Sequence, residues 1–187
     1  ACTYLNNIGH EVIAFSRSPL YLPFNSKIIK AENFTSAFAD PKSLKDVECV
    51  LHLAGKSQIN QKILSKSQNL YHKNNVEETL KLASLCAEAS VRRFIFISSI
   101  KVNGESTSKS KPFNENDIPQ PMNPYAISKL QAELGLLKIS ERSNMEITII
   151  RPPLVYGKGV KGYFNTLLRV IKNRVPLPLG SITNNQR

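Results

Sequence analysis

Arg93-Phe94-Ile95-Phe96-Ile97-Ser98-Ser99 is an apolar, β-type run that ends in two hydroxyl side chains. A short apolar run of this kind predicts a strand that is buried in a parallel sheet and opens at its carboxyl end. A second run, Cys49-Val50-Leu51-His52-Leu53-Ala54-Gly55, ends in small residues that let backbone and ligand approach closely. Because ligands of open α/β sheets bind outside the carboxyl ends of the strands, we expect both runs to end at one crevice.

Tyr125-Ala126-Ile127-Ser128-Lys129 lies further along the chain, inside a helical pattern. Residues four apart share one helix face, so the Tyr125 hydroxyl and the Lys129 ammonium are predicted to share one site. A phenol titrates near ~10 in water and a neighbouring cation favours its ionised form, so we expect Lys129 to lower the pKa of Tyr125. Such a shift would let Tyr125 act as a general base at neutral pH. By itself, the spacing also fits a half-buried tyrosine beside a solvated lysine.

Strand and helix patterns alternate along the chain, which predicts an α/β fold with a parallel sheet. The predicted strands span 11–16, 27–30, 48–54, 93–99 and 146–151. The predicted helices span 41–46, 66–89, 123–142 and 161–173, and Ala1–Asn7 followed by Gly9 is typical of the end of another helix. Residues 101–122 are rich in Ser, Lys, Asn and Pro, which predicts a long surface loop near the site.

Composition limits the kinds of protein that this chain can be. It has 187 residues, 41% of them hydrophobic, and a formal net charge of +11. No apolar run approaches the roughly 18 residues of a membrane helix, so we predict no membrane partner. The basic residues are spread through the sequence without an arginine-rich arm, which favours a solvated basic surface over a nucleic-acid partner. Cys2, Cys49 and Cys86 are scattered and lack metal-ligand company, which predicts a reducing cytoplasm and no bound metal.

Ordered motifs at regular spacing cover nearly the whole chain. They are Gly9-His10-Glu11-Val12-Ile13, His52-Leu53-Ala54-Gly55, Asn74-Asn75-Val76, Phe94-Ile95-Phe96-Ile97-Ser98-Ser99, Pro124-Tyr125-Ala126-Ile127-Ser128-Lys129 and Arg151-Pro152-Pro153-Leu154-Val155-Tyr156-Gly157. With these motifs the chain resembles the extended short-chain dehydrogenase/reductase family, in its NAD-dependent epimerase/dehydratase branch. The resemblance implies a cytoplasmic, homodimeric enzyme of nucleotide-sugar chemistry, similar to members that serve bacterial surface-polysaccharide synthesis.

The resemblance also implies a domain organisation. It predicts a Rossmann-type, doubly wound parallel sheet over residues 1–151 and the beginning of a smaller substrate-binding domain over residues 152–187. The family carries a first strand and a Gly-rich loop before the point where this sequence starts, and it continues beyond Arg187. We therefore expect an internal piece of a longer protein, which binds the cofactor poorly by itself.

Three residues match the family's catalytic positions. Tyr125 would take the proton from the sugar hydroxyl that is oxidised, and Ser99 would hydrogen-bond that hydroxyl or the keto intermediate. Lys129 would bind the nicotinamide ribose and hold Tyr125 partly ionised. Ser98 is expected to satisfy local backbone groups instead. For Asn75, a plain helix polar residue and a buttress of the catalytic strands are equally open.

The resemblance places the cofactor, NAD or NADP, along the strand ends. Ala54 and Gly55 match the turn against the adenosine ribose and phosphate, and Phe38 matches the adenine edge, although Ala37 replaces the aspartate that commonly precedes it. Ser16 and Arg17 follow a strand where NAD-preferring members place an acid, which favours NADP because a guanidinium suits its 2′-phosphate. The predicted cofactor-binding residues are Ser16, Arg17, Phe38, Ala54, Gly55, Lys129 and Pro152.

The substrate is predicted to be a UDP-sugar. Arg187 matches an arginine that often grips the nucleotide diphosphate. Two departures affect this site: Tyr163-Phe164 stands where relatives often place Asn-Phe, and Asn103 stands where many 4-epimerases have tyrosine. The predicted substrate-binding residues are Ser99, Tyr125, Pro153, Leu154, Phe164 and Arg187.

Three functions follow from these expectations. The first is an NAD(P)-dependent 4-epimerase of UDP-hexoses or UDP-N-acetylhexosamines, which oxidises C4 transiently and returns the hydride to the other face. The second is an NADPH-dependent reductase of UDP-4-keto-6-deoxysugars. The motifs around Asn103 and Arg151-Pro152-Pro153 resemble those of members that act on UDP-N-acetylated or 6-deoxy sugars. The third, a non-enzymatic dinucleotide sensor or protein-binding module, is disfavoured by the intact set of Ser99, Tyr125 and Lys129. A dehydratase is also disfavoured, since Ile100-Lys101 stands where an acid pair is needed.

Overall fold

The computed structural model describes residues 1–16, 27–32, 34–38, 41–57, 64–107, 111–157 and 163–177. Its helices are α1 (Cys2–Asn7), α2 (Phe34–Ala37), α3 (Leu64–Tyr71), α4 (Glu78–Glu88), α5 (Pro124–Glu141) and α6 (Tyr163–Lys172). Its strands are β1 (Ile13–Ser16), β2 (Lys27–Lys30), β3 (Cys49–His52), β4 (Arg93–Ile97) and β5 (Glu146–Ile150). Within these ranges, no helix is long and apolar enough to cross a lipid bilayer.

All the strands that pair in the described ranges run parallel. β1 pairs with β2, and β4 lies between β3 and β5 in a three-stranded sheet. Alternate residues of β4 point to one face, so Phe94 and Phe96 are fully buried against the helices. The predicted Rossmann-type α/β fold is confirmed, because the paired strands run parallel and, within the described residues, helical segments lie between β2 and β3, between β3 and β4 and between β4 and β5.

The helix α5 carries the Tyr/Lys motif, and its start is well defined. The Asn123 side chain caps the helix by accepting a hydrogen bond from the Ala126 backbone N–H at 2.9 Å, and Pro124 occupies the first turn. Further along, Gly135 faces Leu80 of α4 so closely that an added Cβ would lie 2.6 Å from the leucine methyl carbons. A glycine at this position therefore allows α4 and α5 to pack closely against each other.

Several predicted boundaries differ from the structure. The helix predicted over 66–89 is interrupted by a π-helical stretch at His72–Glu77, and the helix predicted over 41–46 is a short 3₁₀ helix at Pro41–Leu44. The predicted surface loop over 101–122 begins with the 3₁₀ helix Ile100–Val102, and Val102, Asn103 and Gly104 are buried. The loop can pack inward here because the buried Asn103 side chain has hydrogen-bond partners in Arg151 and Asn114.

Candidate active site

Ser99 and Tyr125 meet where the carboxyl end of β4 faces the first turn of α5. The Ser99 hydroxyl, as a hydrogen-bonding neighbour, by itself lowers the pKa of the Tyr125 phenol. Burial acts more strongly and in the opposite direction, so the pKa of Tyr125 is raised above its ordinary value. The expectation that Lys129 lowers this pKa is therefore wrong for this structure, because desolvation of the phenolate dominates.

Lys129 is turned toward the sheet and is only 4% exposed. Its ammonium donates a hydrogen bond to the Ile97 carbonyl oxygen at 2.9 Å and lies 4.5 Å from the centre of the Phe96 ring. Burial lowers the pKa of Lys129 to about 8, and the nearby Glu133 carboxylate opposes this shift. A desolvated ammonium at a strand end is typical of a functional site, since the cost of burying it needs compensation.

Asn75 lies in the π-helical stretch and is 1% exposed. Its amide oxygen accepts from the Lys56 N–H at 2.8 Å, and its amide nitrogen donates to the Lys56 carbonyl at 2.9 Å and to the Ser128 hydroxyl at 3.0 Å. The side chain thus ties the turn after β3 to α5, which supports the buttressing interpretation. Gly55 lies close to both side chains, since a Cβ added to it would be 3.3 Å from Asn75 Oδ1 and 3.3 Å from Lys129 Nζ.

A buried ionic network that the sequence did not reveal lies beneath Ser99. Ser98 donates a hydrogen bond to Glu133 of α5, so the expectation that Ser98 bonds to local backbone is wrong. Arg151 donates to both carboxylate oxygens of Glu133, through Nε at 3.1 and 3.2 Å and through Nη2 at 2.6 Å. Its Nη1 donates to the Asn103 side-chain oxygen at 3.1 Å, and the amide nitrogen of the same Asn103 side chain donates to the Asn114 carbonyl at 3.3 Å. The spacing of Glu133, four residues after Lys129, is the sequence signal that could have indicated this network.

The predicted cofactor-binding residues are spread over three strand ends. Ala54 and Gly55 are exposed at the open end of β3, and Ser16 is half-buried at the end of β1. Phe38 is buried in the hydrophobic core, with its ring centre 6.0 Å from that of Phe15. The Pro152 carbonyl accepts a hydrogen bond from the Ile100 N–H at 3.0 Å, and Arg17 lies outside the described residues.

The predicted substrate-binding residues beyond β5 lie on the surface. Pro153 and Leu154 are exposed, while the Phe164 ring stacks against Tyr156 with 5.1 Å between ring centres. Arg187 lies outside the described residues. The structure therefore brings Ser99, Tyr125 and Lys129 together and leaves the role of the residues after Pro152 as a prediction.

Fold and site together define a Rossmann-type α/β protein whose strand ends gather a tyrosine, a serine and a buried lysine. The family model of the NAD dependent epimerase/dehydratase family matches residues 1–187. The chain belongs to this family.

Individual relatives agree with this assignment. The chain is 42% identical over 144 residues to a UDP-glucose 4-epimerase of Vibrio cholerae, which covers 77% of this chain and 44% of the relative. It is 33% identical over 131 residues to a GDP-6-deoxy-D-mannose reductase of Pseudomonas aeruginosa, covering 67% of this chain and 42% of the relative. Among solved structures, MoeE5 in complex with UDP-glucuronic acid and NAD superposes with a TM-score of 0.76 at 28% identity, covering 90% of this chain and 56% of that one. The chain thus spans about half the length of the proteins that it matches.

Proposed function

We propose that the protein is an NAD(P)-dependent 4-epimerase of UDP-hexoses or UDP-N-acetylhexosamines. The observation that carries this proposal is the juxtaposition of Ser99 and Tyr125 beside the buried Lys129. The similarity to a UDP-glucose 4-epimerase supports it. A hydroxyl pair next to a cation at the open end of a sheet suits proton transfer at a sugar hydroxyl.

The residues present fit a nicotinamide dinucleotide. Ala54 and Gly55 are small and exposed, so a ligand can approach the end of β3 closely. The Lys129 ammonium lies next to Gly55 and can donate hydrogen bonds there. When bound, the dinucleotide would supply the chemistry of accepting a hydride from the sugar and giving it back. Ala54, Gly55 and Lys129 would hold it, with Ser16, Phe38 and Pro152 as further proposed contacts.

The side chains would handle the proton. Tyr125, in its deprotonated form, would take the proton of the C4 hydroxyl as C4 is oxidised, so that a 4-keto sugar and a neutral Tyr125 result. Ser99 would donate a hydrogen bond to the oxygen that becomes the ketone. After the keto sugar has rotated, Tyr125 would return the proton as C4 is reduced from the other face. Tyr125 would thus begin and end a cycle deprotonated, and because burial raises its pKa in this structure, that form is the minor one at neutral pH.

The test uses purified full-length protein with UDP-glucose or UDP-N-acetylglucosamine. We expect the C4 epimer to form without lasting change in the absorbance of reduced nicotinamide, because the cofactor is oxidised again in each cycle. If these sugars remain unchanged, the epimerase assignment fails.

A second candidate is an NADPH-dependent reductase of UDP-4-keto-6-deoxysugars. The similarity to a GDP-6-deoxy-D-mannose reductase favours it. A reductase consumes one NADPH for every sugar that it reduces, so stoichiometric NADPH oxidation with a UDP-4-keto-6-deoxysugar, and no epimerisation, would establish this function in place of the first.

The choice between NAD and NADP rests on residues around the end of β1. Arg17 after Ser16 suits a 2′-phosphate, whereas the superposed MoeE5 structure contains NAD. If NADP is preferred, Arg17→Ala weakens NADPH binding far more than NADH binding in a titration of the full-length protein. Equal losses for both would rule out a 2′-phosphate site at Arg17.

We further propose that residues 1–151 form the dinucleotide-binding domain, that 152–187 begin the substrate-binding domain, and that the protein is a homodimer. Two apolar residues of α5 support a subunit contact, since Leu134 is 52% and Leu137 45% exposed. Sedimentation of the full-length protein is expected to give a dimer, and Leu134→Asp is expected to shift it toward the monomer. A monomeric wild-type protein would contradict this proposal.

A further inference from the structure

Glu133 is the point where three parts of the molecule join. It lies one turn after Lys129 on α5 and is 2% exposed. Ser98, at the end of β4, donates to one of its oxygens, and Arg151, just past the end of β5, donates to both. One buried carboxylate thus connects the helix that bears Tyr125 with the ends of two neighbouring strands.

The neighbours of these partners are the residues proposed to contact cofactor and substrate. Ser98 precedes Ser99, and Arg151 precedes Pro152 and Pro153. Two backbone hydrogen bonds continue the strand pairing through this region, from Ser98 N–H to the Ile150 carbonyl at 2.7 Å and from Ile100 N–H to the Pro152 carbonyl at 3.0 Å. These backbone hydrogen bonds hold the ends of β4 and β5 to each other. The contacts of Ser98 and Arg151 with Glu133 then set the position of both strand ends relative to α5.

The free-energy cost of burying the Arg151–Glu133 pair argues that its role is geometric and not mainly stabilising. Two charges taken out of water lose hydration that their mutual attraction only partly restores, so a buried ion pair is weak evidence for a gain in stability. Its advantage is directional, because a bidentate arginine–carboxylate contact defines both distance and orientation. Reaction rates depend on such geometry, since misplacing reacting groups by about 1 Å costs about 10²-fold.

We propose that Glu133 is a positioning residue, which holds the ends of β4 and β5 against α5 so that Ser99 and the Pro152–Pro153 segment keep a fixed geometry to Tyr125 and Lys129. The role rests on the proposed function, because it concerns the geometry of that reaction. It adds to that function a residue that touches neither the sugar nor the dinucleotide.

The experiment compares Glu133→Gln with Glu146→Gln in the full-length protein. Both substitutions remove one carboxylate charge and keep the side-chain shape, but Glu146 pairs with Arg93 at the opposite, exposed ends of β4 and β5. We expect Glu133→Gln to lower kcat by about 10²-fold while KM stays within a few-fold, as loss of alignment predicts. Glu146→Gln should leave both parameters near those of the wild type. A folded Glu133→Gln enzyme with wild-type kcat, or equal losses in both variants, overturns the proposal.

Amide hydrogen exchange separates this proposal from the function on which it rests. In Glu133→Gln we expect the Ser98 and Ile100 amides to exchange about tenfold faster, whereas Glu146→Gln leaves them unchanged. If the wild-type protein converts no nucleotide sugar, the proposed function fails, and unchanged exchange at these two amides would overturn the positioning role as well.

Should Glu133→Gln fail to fold, Ser98→Ala removes the contact with β4 alone. It is expected to lower kcat about tenfold with little change in KM, because the strand end that carries Ser99 loses one of its ties to α5. An unaltered kcat in Ser98→Ala would overturn the proposal.

Discussion

Two arginine–glutamate pairs lie at opposite ends of the same pair of strands, β4 and β5. At the amino ends, Arg93 donates to Glu146 across the strands, and the two side chains are 41% and 53% exposed. At the carboxyl ends, Arg151 and Glu133 are 21% and 2% exposed. The chemistry of the two pairs is the same, but water screens the first and is excluded from most of the second.

The difference indicates which end of the sheet is specialised. An exposed pair can form wherever two surface side chains meet, whereas a buried one must be compensated by hydrogen bonds from several directions. Glu133 has such compensation from Ser98 and Arg151. The same end of the sheet carries the buried Lys129 and the half-buried Tyr125, so the costly polar groups concentrate where parallel sheets bind ligands.

The largest expected effect is loss of turnover in Tyr125→Phe. The phenol is proposed to carry the proton, and such groups contribute about 10² to 10⁴ in rate. Steady-state kinetics of the full-length protein measure this loss. Tyr71→Phe is the matched control, because its ring lies 6.0 Å from that of Tyr125 but is proposed to transfer no proton. A similar loss in both variants would remove the special role of Tyr125.

The next prediction compares the stability of the two ends. Glu133→Gln leaves the Arg151 guanidinium without its carboxylate partner, so we expect unfolding in urea to become easier by about 3–5 kcal/mol. Glu146→Gln is expected to change the midpoint little, because the Arg93 guanidinium remains in water. Equal shifts in the two variants would mean that burial does not distinguish the pairs.

A smaller effect is expected from Gly55→Ala. The new methyl group would lie 3.3 Å from Lys129 Nζ and from Asn75 Oδ1, so one of these groups must move. We expect dinucleotide affinity in the full-length protein to fall about tenfold, which calorimetric titration would measure. Unchanged affinity would show that the position of Lys129 does not matter for binding.

The smallest effect concerns pH. Burial lowers the pKa of Lys129 to about 8 from its ordinary value of 10.5, so between these values the unfolded chain binds more protons than the folded one. The contribution of Lys129 to stability therefore rises with pH across this window, as the cost of burying the charged form disappears, whereas burial of the Cys86 thiol, whose pKa is raised to about 12, acts in the opposite direction at alkaline pH. Denaturation at several pH values should therefore give a stability profile that rises more with pH in the wild type than in Lys129→Met. Identical profiles would contradict the assignment of the shift to Lys129.

Local patterns were sufficient to predict β3, β4, β5 and α5. Their apolar runs and helical spacing depend on residues near one another in sequence. The proximity of Tyr125 and Ser99 followed from the rule that functional groups of a parallel sheet gather at the carboxyl ends of its strands. The π-helical stretch at His72–Glu77 was missed because a shift in backbone hydrogen bonding has no distinct residue pattern.

The ionic network and the direction of the Tyr125 shift required the folded structure. Ser98 and Glu133 are 35 positions apart, and Glu133 and Arg151 are 18 apart. Such contacts depend on how α5 packs against the strands. The pKa of Tyr125 depends on burial, which the four-residue spacing to Lys129 does not reveal.

We propose that the carboxyl ends of β3, β4 and β5 carry the oxidation and re-reduction of a single sugar carbon. Turnover of UDP-glucose labelled with deuterium at C4, followed by NMR of the product, tests it most directly. We predict that the C4 epimer keeps the deuterium, because the hydrogen leaves as hydride and returns from the dinucleotide without meeting water. Exchange of the C4 label with solvent hydrogen during epimerisation would contradict the account.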